Sequence, residues 1–280
     1  NLKIMKNLIL IITLLLFSIA SFAQNYKFDW VRVFNGTSTT GNLDTKCLAT
    51  DNESNIYMLT MLYDSVDVDP SDKFNYFINY NSESFKAYVV KLDKYGNLIL
   101  AFKINYDFGF IKSLFVDKFQ NIYVTGNYKS TKGSNLGYIN KYNKDGNLIL
   151  SKNFQNTSDA IVNSLFVDKE ESIFIVGTNE YYNYIGQFPG RSETFIKKLD
   201  KNGEQIWAAT IGGIYSVIGK SLKLDSEGNV IIGGTFIGEV DFDPRSGIMK
   251  ITSDTLVPNG FILKLDPFGE FLWVKKIGGN

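Results

Sequence analysis

Four copies of one sequence unit fill most of the 280-residue chain, and this repeat limits the possible folds more than any other feature. Each copy contains an apolar strand that ends in Asp, a short turn and a second strand, as at 113–117 and 121–123. Each copy also contains a Lys-Leu-Asp-x-x-Gly phrase or a close variant, with its glycine at Gly96, Gly146, Gly203 or Gly269. These glycines are 50, 57 and 66 residues apart, which is the size of a four-stranded propeller blade with loops of variable length.

Apolar and polar residues alternate within each copy with the two-residue period of a β-strand. In the second copy Leu114 and Val116 lie on one side of the chain and Phe115 lies on the other. After the N-terminal region, no stretch keeps a helical period over three turns, so we expect an all-β protein. Each copy supplies four strands, which we name a to d. Short polar turns join a to b and c to d, with Asp or Asn at the start and Gly available for a positive φ.

Four short strands cannot bury both faces of their own sheet, so neighbouring copies must stack face to face around an axis. The predicted fold is therefore a β-propeller of four-stranded antiparallel blades. The predicted blades cover residues 47–104, 112–154, 163–211 and 220–279.

The connections between strands b and c differ most between copies. Because strand direction alternates, these connections lie on one face of the disc, which we name the long-loop face. They cover residues 61–86, 127–137, 178–193 and 235–260. We expect a protein or glycan ligand on the long-loop face, because variable loops on a regular scaffold commonly carry function.

An additional strand d precedes the first copy. Residues 28–36 closely match residues 271–279, which form the last strand of the fourth copy. The chain thus has one more strand d than strands a, b or c. We therefore expect the four visible repeats to be a fragment of a larger ring with further blades.

Residues 1–23 have the order of regions that is typical of a secretory signal peptide. Lys6 is followed by an apolar run over 8–20 and by small residues, which places cleavage after Ala23; the few residues before Met5 do not fit a natural start. The run is too short for a membrane span. We expect a secreted protein or one at the outer cell surface. Without the leader, 27 basic residues balance 29 acidic ones, so the charge does not indicate nucleic-acid binding.

The chain contains no histidine and a single cysteine, Cys47. The lack of histidine excludes Ser-His-Asp and Cys-His catalysis and the common histidine-containing zinc sites. Cys47 has no partner for an intramolecular disulfide, and its counterparts in the other copies are Ser113, Ser164 and Ser221. A small side chain on a tightly packed inner strand explains this position better than a reactive thiol does.

The recurring phrases resemble the SBBP-type β-propeller repeat of bacterial secreted proteins, and the resemblance covers residues 28–280. It rests on Asp-x-x-x-Asn-Ile-Tyr-Val-x-Gly at 117–126, Val-Asp-Phe-Asp-Pro at 240–244, Phe-x-x-Lys-Leu-Asp-x-x-Gly at 261–269 and Trp-Val-x-x-Ile-Gly-Gly at 273–279. The chain departs from this pattern at Thr60, Leu100, Asn143 and Leu150.

The resemblance implies a secreted or surface-displayed propeller. The end of the leader and the Asn- and Lys-rich composition look like those of the Bacteroidetes group. In such proteins the propeller is often followed by a C-terminal sorting and anchoring domain of the type IX kind, which we expect in the full-length protein. The resemblance defines a structural class, so it transfers no catalytic residue.

Two acidic phrases are candidate calcium sites. Asp67 and Asp69 in the first copy, and Asp241 and Asp243 in the fourth, alternate along extended segments. This alternation puts carboxylates on one side of the chain, which suits a hard cation. Neither phrase has the glycine spacing and terminal Glu of a calcium-binding loop. The alternative is a polar, proline-terminated turn that ends strand b at the sheet edge.

Aromatic and arginine side chains in the long loops are candidate ligand contacts. The candidates are Tyr181, Tyr182, Tyr184, Phe188, Arg191 and Arg245. Exposed aromatic rings could stack on a sugar or contact a protein, or they could fold back onto the blade rim. A lysine recurs in every copy, at Lys91, Lys141, Lys198 and Lys264. A solvent-facing position or an ion pair between blades explains a repeated lysine better than a shared ligand does.

Together these observations predict an exported, non-catalytic β-propeller that acts as an interaction or scaffold module and needs no cofactor other than the calcium considered above. The alternative is a carbohydrate-active or other hydrolytic propeller that uses loop carboxylates. Such an enzyme would need two carboxylates that face each other across a cleft.

Overall fold

The computed structural model describes residues 29–36, 43–62, 66–69, 71, 76–77, 86–104, 109–130, 133–154, 159–181, 191–253 and 257–278. The chain divides into a first unit, Asn1–Val31, and a second unit, Arg32–Asn280, which holds all the strands described below. Four antiparallel sheets, each with four blade strands, form a four-bladed β-propeller, which confirms the predicted fold class. The described residues include no helix, and so none that could cross a membrane.

In each blade the chain runs from inner strand a through b and c to outer strand d. The strands are β1 (Asn35–Gly36), β2 (Leu43–Thr50), β3 (Ile56–Leu62), β4 (Val66–Asp67), β5 (Tyr76–Phe77), β6 (Lys86–Leu92), β7 (Leu98–Lys103), β8 (Gly109–Val116), β9 (Ile122–Lys129), β10 (Asn135–Tyr142), β11 (Leu148–Phe154), β12 (Asp159–Val167), β13 (Ile173–Glu180), β14 (Ser192–Leu199), β15 (Gln205–Gly213), β16 (Val217–Leu224), β17 (Val230–Phe236), β18 (Glu239–Asp241), β19 (Lys250–Thr252), β20 (Asn259–Leu265) and β21 (Phe271–Ile277). Blade 1 is β2-β3-β6-β7, blade 2 is β8-β9-β10-β11, blade 3 is β12-β13-β14-β15 and blade 4 is β16-β17-β20-β21.

One turn geometry closes the hairpins between strands a and b. In blade 2 the Asp117 carbonyl accepts a hydrogen bond from the Gln120 N–H, and Asp117 Oδ1 accepts from the Asn121 N–H at 2.9 Å. The residue at the end of the turn has a positive φ in every blade. This position holds Ser54 (65°), Gln120 (63°), Glu171 (64°) and Gly228 (82°). The side chain at this position can therefore differ between blades while the backbone stays the same.

The hydrophobic core consists of layers between neighbouring blades. Tyr57 and Leu59 of blade 1 belong to one buried cluster with Ile111 and Leu114 of blade 2. Corresponding clusters join blade 2 to blade 3 and blade 3 to blade 4. Full burial of one such side chain contributes about 1.5–3 kcal/mol, so each stacked pair of blades gains apolar stabilisation from its shared layer.

The outward faces of the first and last blades are more exposed than the equivalent faces that pack against a neighbouring blade. Leu48 of blade 1 is 67% exposed, whereas its repeat counterpart Leu222 in blade 4 is 1% exposed. Ile277 of blade 4 is 52% exposed, whereas its counterpart Ile211 in blade 3 is 1% exposed. The prediction of further blades stays a prediction.

The N-terminal strand β1 takes the place of a strand d. Asn35 and Gly36 pair with Asp67 and Val66 of β4, just as Gly212 and Gly213 at the end of β15 pair with Asp241 and Val240 of β18. Arg32 also donates hydrogen bonds to the carbonyls of Tyr95 (3.0 Å) and Gly96 (3.3 Å) in the c–d turn of blade 1. The segment from Arg32 to Gly36 thus packs on blade 1 as a preceding strand d would.

Candidate functional site

The repeated lysine of strand c connects neighbouring blades at two of the three boundaries. Lys141 Nζ of blade 2 lies 3.0 Å from Glu171 Oε2 in the a–b turn of blade 3. Lys91 Nζ of blade 1 likewise donates to Gln120 Oε1 in the a–b turn of blade 2 at 2.8 Å. Lys91 is only 5% exposed and Lys141 only 6%. The contact between blades, not the solvent-facing position, is therefore the correct explanation of this repeated residue at these two boundaries.

A tyrosine completes this arrangement at the same two boundaries. Tyr57 OH donates to Asp51 Oδ2 at 2.9 Å, and Tyr123 OH donates to Asp117 Oδ2 at 3.1 Å. The lysine ammonium groups lie over the two rings, 5.0 and 5.1 Å from their centroids. Burial, together with the neighbouring aspartate, raises the pKa of Tyr57 and of Tyr123 far above the usual value. Both phenols are therefore neutral hydrogen-bond donors.

The boundary between blades 3 and 4 lacks two of these groups. Phe174 replaces the tyrosine, and Gly228 replaces the residue whose side chain accepts from the lysine. Lys198 Nζ still lies 5.0 Å from the centroid of the aromatic ring. Within the described part of the chain, however, it has no hydrogen bond or ion pair. A Cβ placed on Gly228 would contact only Pro267 Cγ, at 3.7 Å, so the space above this turn is open.

A cavity of about 500 Å³ occupies this boundary on the face that carries the short hairpins. Its lining consists of Phe166, Val167, Asp168, Lys169, Glu170, Phe174, Lys198, Leu224, Asp225, Ser226, Glu227, Gly228 and Pro267. We name it the blade 3–4 cavity. Its location follows from the repeat, because it opens where Gly228 has no side chain to match Gln120 or Glu171.

Most charged groups around the blade 3–4 cavity already have partners. Asp225 accepts from Lys264 at 2.7 Å and from Asn229 at 2.9 Å, and these bonds hold the pKa of Asp225 far below its usual range. Lys169 lies 3.7 Å from Glu170. Lys198 is the lining cation that has no such partner among the described residues. The cavity can therefore offer a hydrogen-bond donor with a positive charge beside an aromatic ring.

The four candidate calcium ligands accept hydrogen bonds from their own backbone. Asp67 Oδ1 accepts from the Asp69 N–H at 3.0 Å, and Asp241 Oδ1 accepts from the N–H groups of Asp243 and Met249 at 3.1 and 2.8 Å. Both phrases begin in short strands, β4 and β18, that pair with a strand-d segment; they do not simply end strand b. The described residues contain no group of three or more metal-ligating side chains. Calcium binding at these positions stays a prediction.

The structure brings only some of the ligand-face candidates together. Arg191 lies over the ring of Tyr181, with its guanidinium 5.8 Å from the centroid, and both side chains contact Glu193. Arg245 lies elsewhere, against the c–d turn of blade 4, where it donates to the Phe268 carbonyl at 3.1 Å. Tyr182, Tyr184 and Phe188 are outside the described residues.

Two further cavities lie beside lysines. One, of about 340 Å³, is lined by Lys112, Asn163 and Lys220, each at the register irregularity of an inner strand. The other, of about 140 Å³, contains Lys197 between Phe154 and Phe195, and burial lowers the pKa of this lysine. The first cavity already contains a carboxylate, that of Glu180, together with its lysines. The second cavity is smaller than a typical ligand site. The blade 3–4 cavity is therefore the strongest candidate.

Sequence reasoning placed the site on the long-loop face and missed the blade 3–4 cavity. The signal was present in the alignment of the copies. Three a–b turns carry Ser54, Gln120 or Glu171 where the fourth carries Gly228. A glycine at a position where other copies tolerate a side chain leaves a space of side-chain size, which can be found by comparing the copies position by position.

Fold and site together define a β-propeller with a ligand-sized cleft between two blades. No model of a known protein family matches the chain. An uncharacterised WD repeat-containing protein of Acanthamoeba polyphaga mimivirus is 31% identical over 93 residues, which are 32% of this chain and 7% of that protein. A crystal structure of a protein of unknown function from Bacteroides caccae shares 8% identity and covers 84% of this chain and 82% of its own, with a TM-score of 0.41. The WD repeat relative is consistent with a repeated propeller fold.

Proposed function

We propose that this protein is an exported, non-catalytic β-propeller that serves as a binding module and takes up a small ligand in the blade 3–4 cavity. The observation that carries this proposal is the interrupted repeat. Two blade boundaries are closed by a lysine and a partner side chain, and the third has the lysine without the partner. The cavity volume of about 500 Å³ lies within the range of about 300–1,000 Å³ that is typical of ligand sites.

The chemistry of the lining supports binding more than catalysis. Asp168 and Asp225 accept hydrogen bonds from turn N–H groups, so their carboxylates maintain the hairpins. Lys198 offers a donor, and Phe166 and Phe174 offer apolar surface. The signal peptide predicted over residues 1–23 supports export, and a module of this kind would present its ligand site outside the cell.

A screen with matched variants tests the proposed function. Binding of a small-molecule library to the wild-type protein, to Gly228→Gln and to Ser54→Gln would be followed by thermal shift and by NMR. Gly228→Gln places at this turn the same side chain that closes the blade 1–2 boundary. Ser54→Gln introduces the same side chain at the equivalent turn of blade 1. We expect ligands that bind the wild-type protein and Ser54→Gln but not Gly228→Gln. If every ligand binds all three proteins equally, the blade 3–4 cavity is not the site.

A further inference from the structure

We infer that the group anchored in the blade 3–4 cavity is a carboxylate or a carboxamide on a short aliphatic stem. This inference rests on the proposed function and specifies its ligand class. The protein contains its own templates for such a ligand: the side chains of Gln120 and Glu171 fill the equivalent space at the other two boundaries. One of them ends in a carboxamide and the other in a carboxylate.

The position of the lysine over an aromatic ring is the same at all three boundaries. Each ammonium group lies 5.0–5.1 Å from the centroid of the ring below it, on Tyr57, Tyr123 or Phe174. At the first two boundaries a planar group with an sp² oxygen accepts from the lysine at 2.8 and 3.0 Å. A ligand oxygen at the corresponding place would give Lys198 the hydrogen bond that the other two lysines make.

The third boundary has the space for this group. Gly228 has the same left-handed backbone region as Gln120 and Glu171, with φ values of 82°, 63° and 64°. A side chain at this turn would therefore start in the direction that the other two take. An added Cβ would meet only Pro267 Cγ within 4 Å, at 3.7 Å, and Gly228 lines the cavity, so a side chain at this turn has room to start. A free ligand can enter this cavity from solvent.

The surrounding charges suit both forms of the ligand. The aspartate of the preceding a–b turn is present at each boundary, as Asp51, Asp117 and Asp168. With this aspartate in place, Lys91 donates to a neutral amide oxygen and Lys141 donates to a charged carboxylate. On the blade 4 side, Asp225 is neutralised by Lys264 at 2.7 Å. Because the equivalent lysines bind an amide at one boundary and a carboxylate at the other, we expect propanamide and propanoate both to bind.

Titration with the two side-chain analogues tests this inference. Propanamide and propanoate reproduce the ends of Gln120 and Glu171, and propylamine has the same stem without an acceptor oxygen. In the wild-type protein we expect saturable NMR shifts of the Ser226 and Gly228 amides with both acceptors, with dissociation constants on the order of 10 mM, and none with propylamine. In Lys198→Met the dissociation constants should rise at least about tenfold, because a charge-assisted hydrogen bond is lost. Gly228→Gln should abolish the shifts, and Ser54→Gln should leave them unchanged.

Three results would overturn the inference, and they differ in what they mean for the proposed function. If neither acceptor shifts these amides while other library compounds bind the wild-type protein and not Gly228→Gln, the ligand class is wrong and the cavity remains a binding site. If no compound of any kind distinguishes the wild-type protein from Gly228→Gln, both proposals fail. Equal shifts in the wild-type protein and in Lys198→Met would also refute Lys198 as the anchor.

Discussion

Lys141 and Glu171 join blade 2 to blade 3 through a contact of 3.0 Å between Nζ and Oε2. The lysine belongs to strand c of one blade and the glutamate to the a–b turn of the next. Because Lys141 is only 6% exposed, its charge is buried by the stacking of the two blades and depends on the next blade for a partner. Blade stacking therefore buries a charged lysine as well as apolar side chains. The residue at the positive-φ position of the turn supplies the acceptor that this lysine needs.

Removal of the Glu171 acceptor should destabilise the protein. In Glu171→Ala the buried Lys141 ammonium loses its hydrogen bond, and we expect the free energy of unfolding to fall by about 2 kcal/mol. Glu171→Gln should cost less, because Gln120 performs this role for Lys91 at the preceding boundary. Urea unfolding at neutral pH measures both variants. An equal loss in the two would mean that the hydrogen bond does not contribute to the stability of the stack.

The c–d turn glycines should tolerate a methyl group less well than a loop glycine with the same φ. Gly146 (φ 82°) would place a Cβ 2.8 Å from the Phe102 ring of blade 1, whereas Gly133 (φ 85°) has nothing within 4 Å. Both alanine variants incur left-handed strain of about 1–2 kcal/mol. Only Gly146→Ala adds overpacking of about 1–3 kcal/mol. Chemical denaturation should therefore give a clearly lower free energy of unfolding for Gly146→Ala than for Gly133→Ala. Similar free energies for the two variants would contradict this packing of blade 2 on blade 1.

The inner-strand position of Cys47 shows what the repeat could predict. Its serine counterparts indicated a small side chain in tight packing, and Cys47 Sγ donates to the Lys112 carbonyl of the next blade at 3.3 Å. Burial raises the pKa of the Cys47 thiol, which agrees with a structural role. The role of this position could be derived from the repeat because a small side chain recurs there in every copy. The recurring lysine shows the limit of such reasoning, because Lys141 pairs with Glu171 of the next blade whereas Lys264 pairs with Asp225 of its own blade.

The pairing of β18 with β15 shows what could not be predicted. Glu239–Asp241 is too short for a detectable period, and its partner residues, Gly212 and Gly213, belong to the preceding blade. Such pairing depends on the stacked arrangement and not on local sequence. The blade 3–4 cavity was missed for a related reason, since it results from the absence of a side chain at Gly228 and from a replacement at Phe174.

The tryptophans of strand d in blades 3 and 4 should differ in their contribution to stability. Trp207 of blade 3 donates from Nε1 to the Pro267 carbonyl of blade 4 at 3.1 Å, and it packs on Gly269. Trp273 has the same position in blade 4 but is 38% exposed. We expect Trp207→Leu to cost about 2–3 kcal/mol through lost burial and a lost hydrogen bond. Trp273→Leu should change the free energy of unfolding by less than about 0.5 kcal/mol. Comparable losses in both would show that the outer face of blade 4 is covered in solution.

The ion pair between Asp225 and Lys264 should make stability depend on pH. The hydrogen bonds from Lys264 and Asn229 lower the pKa of Asp225 in the folded protein. The stabilisation by ionised Asp225 is therefore fully present above the unfolded-state pKa of about 3.9. This contribution is lost as the pH falls through the folded-state pKa. Asp225→Asn should therefore be less stable than the wild-type protein at pH 7, and the difference should shrink as the pH is lowered from about 5 to about 2. Lys264→Met should show the same convergence with the wild-type protein, because it removes the other partner. Urea unfolding over this pH range provides the measurement, and a difference between Asp225→Asn and the wild-type protein that stays constant down to pH 2 would contradict the ion pair.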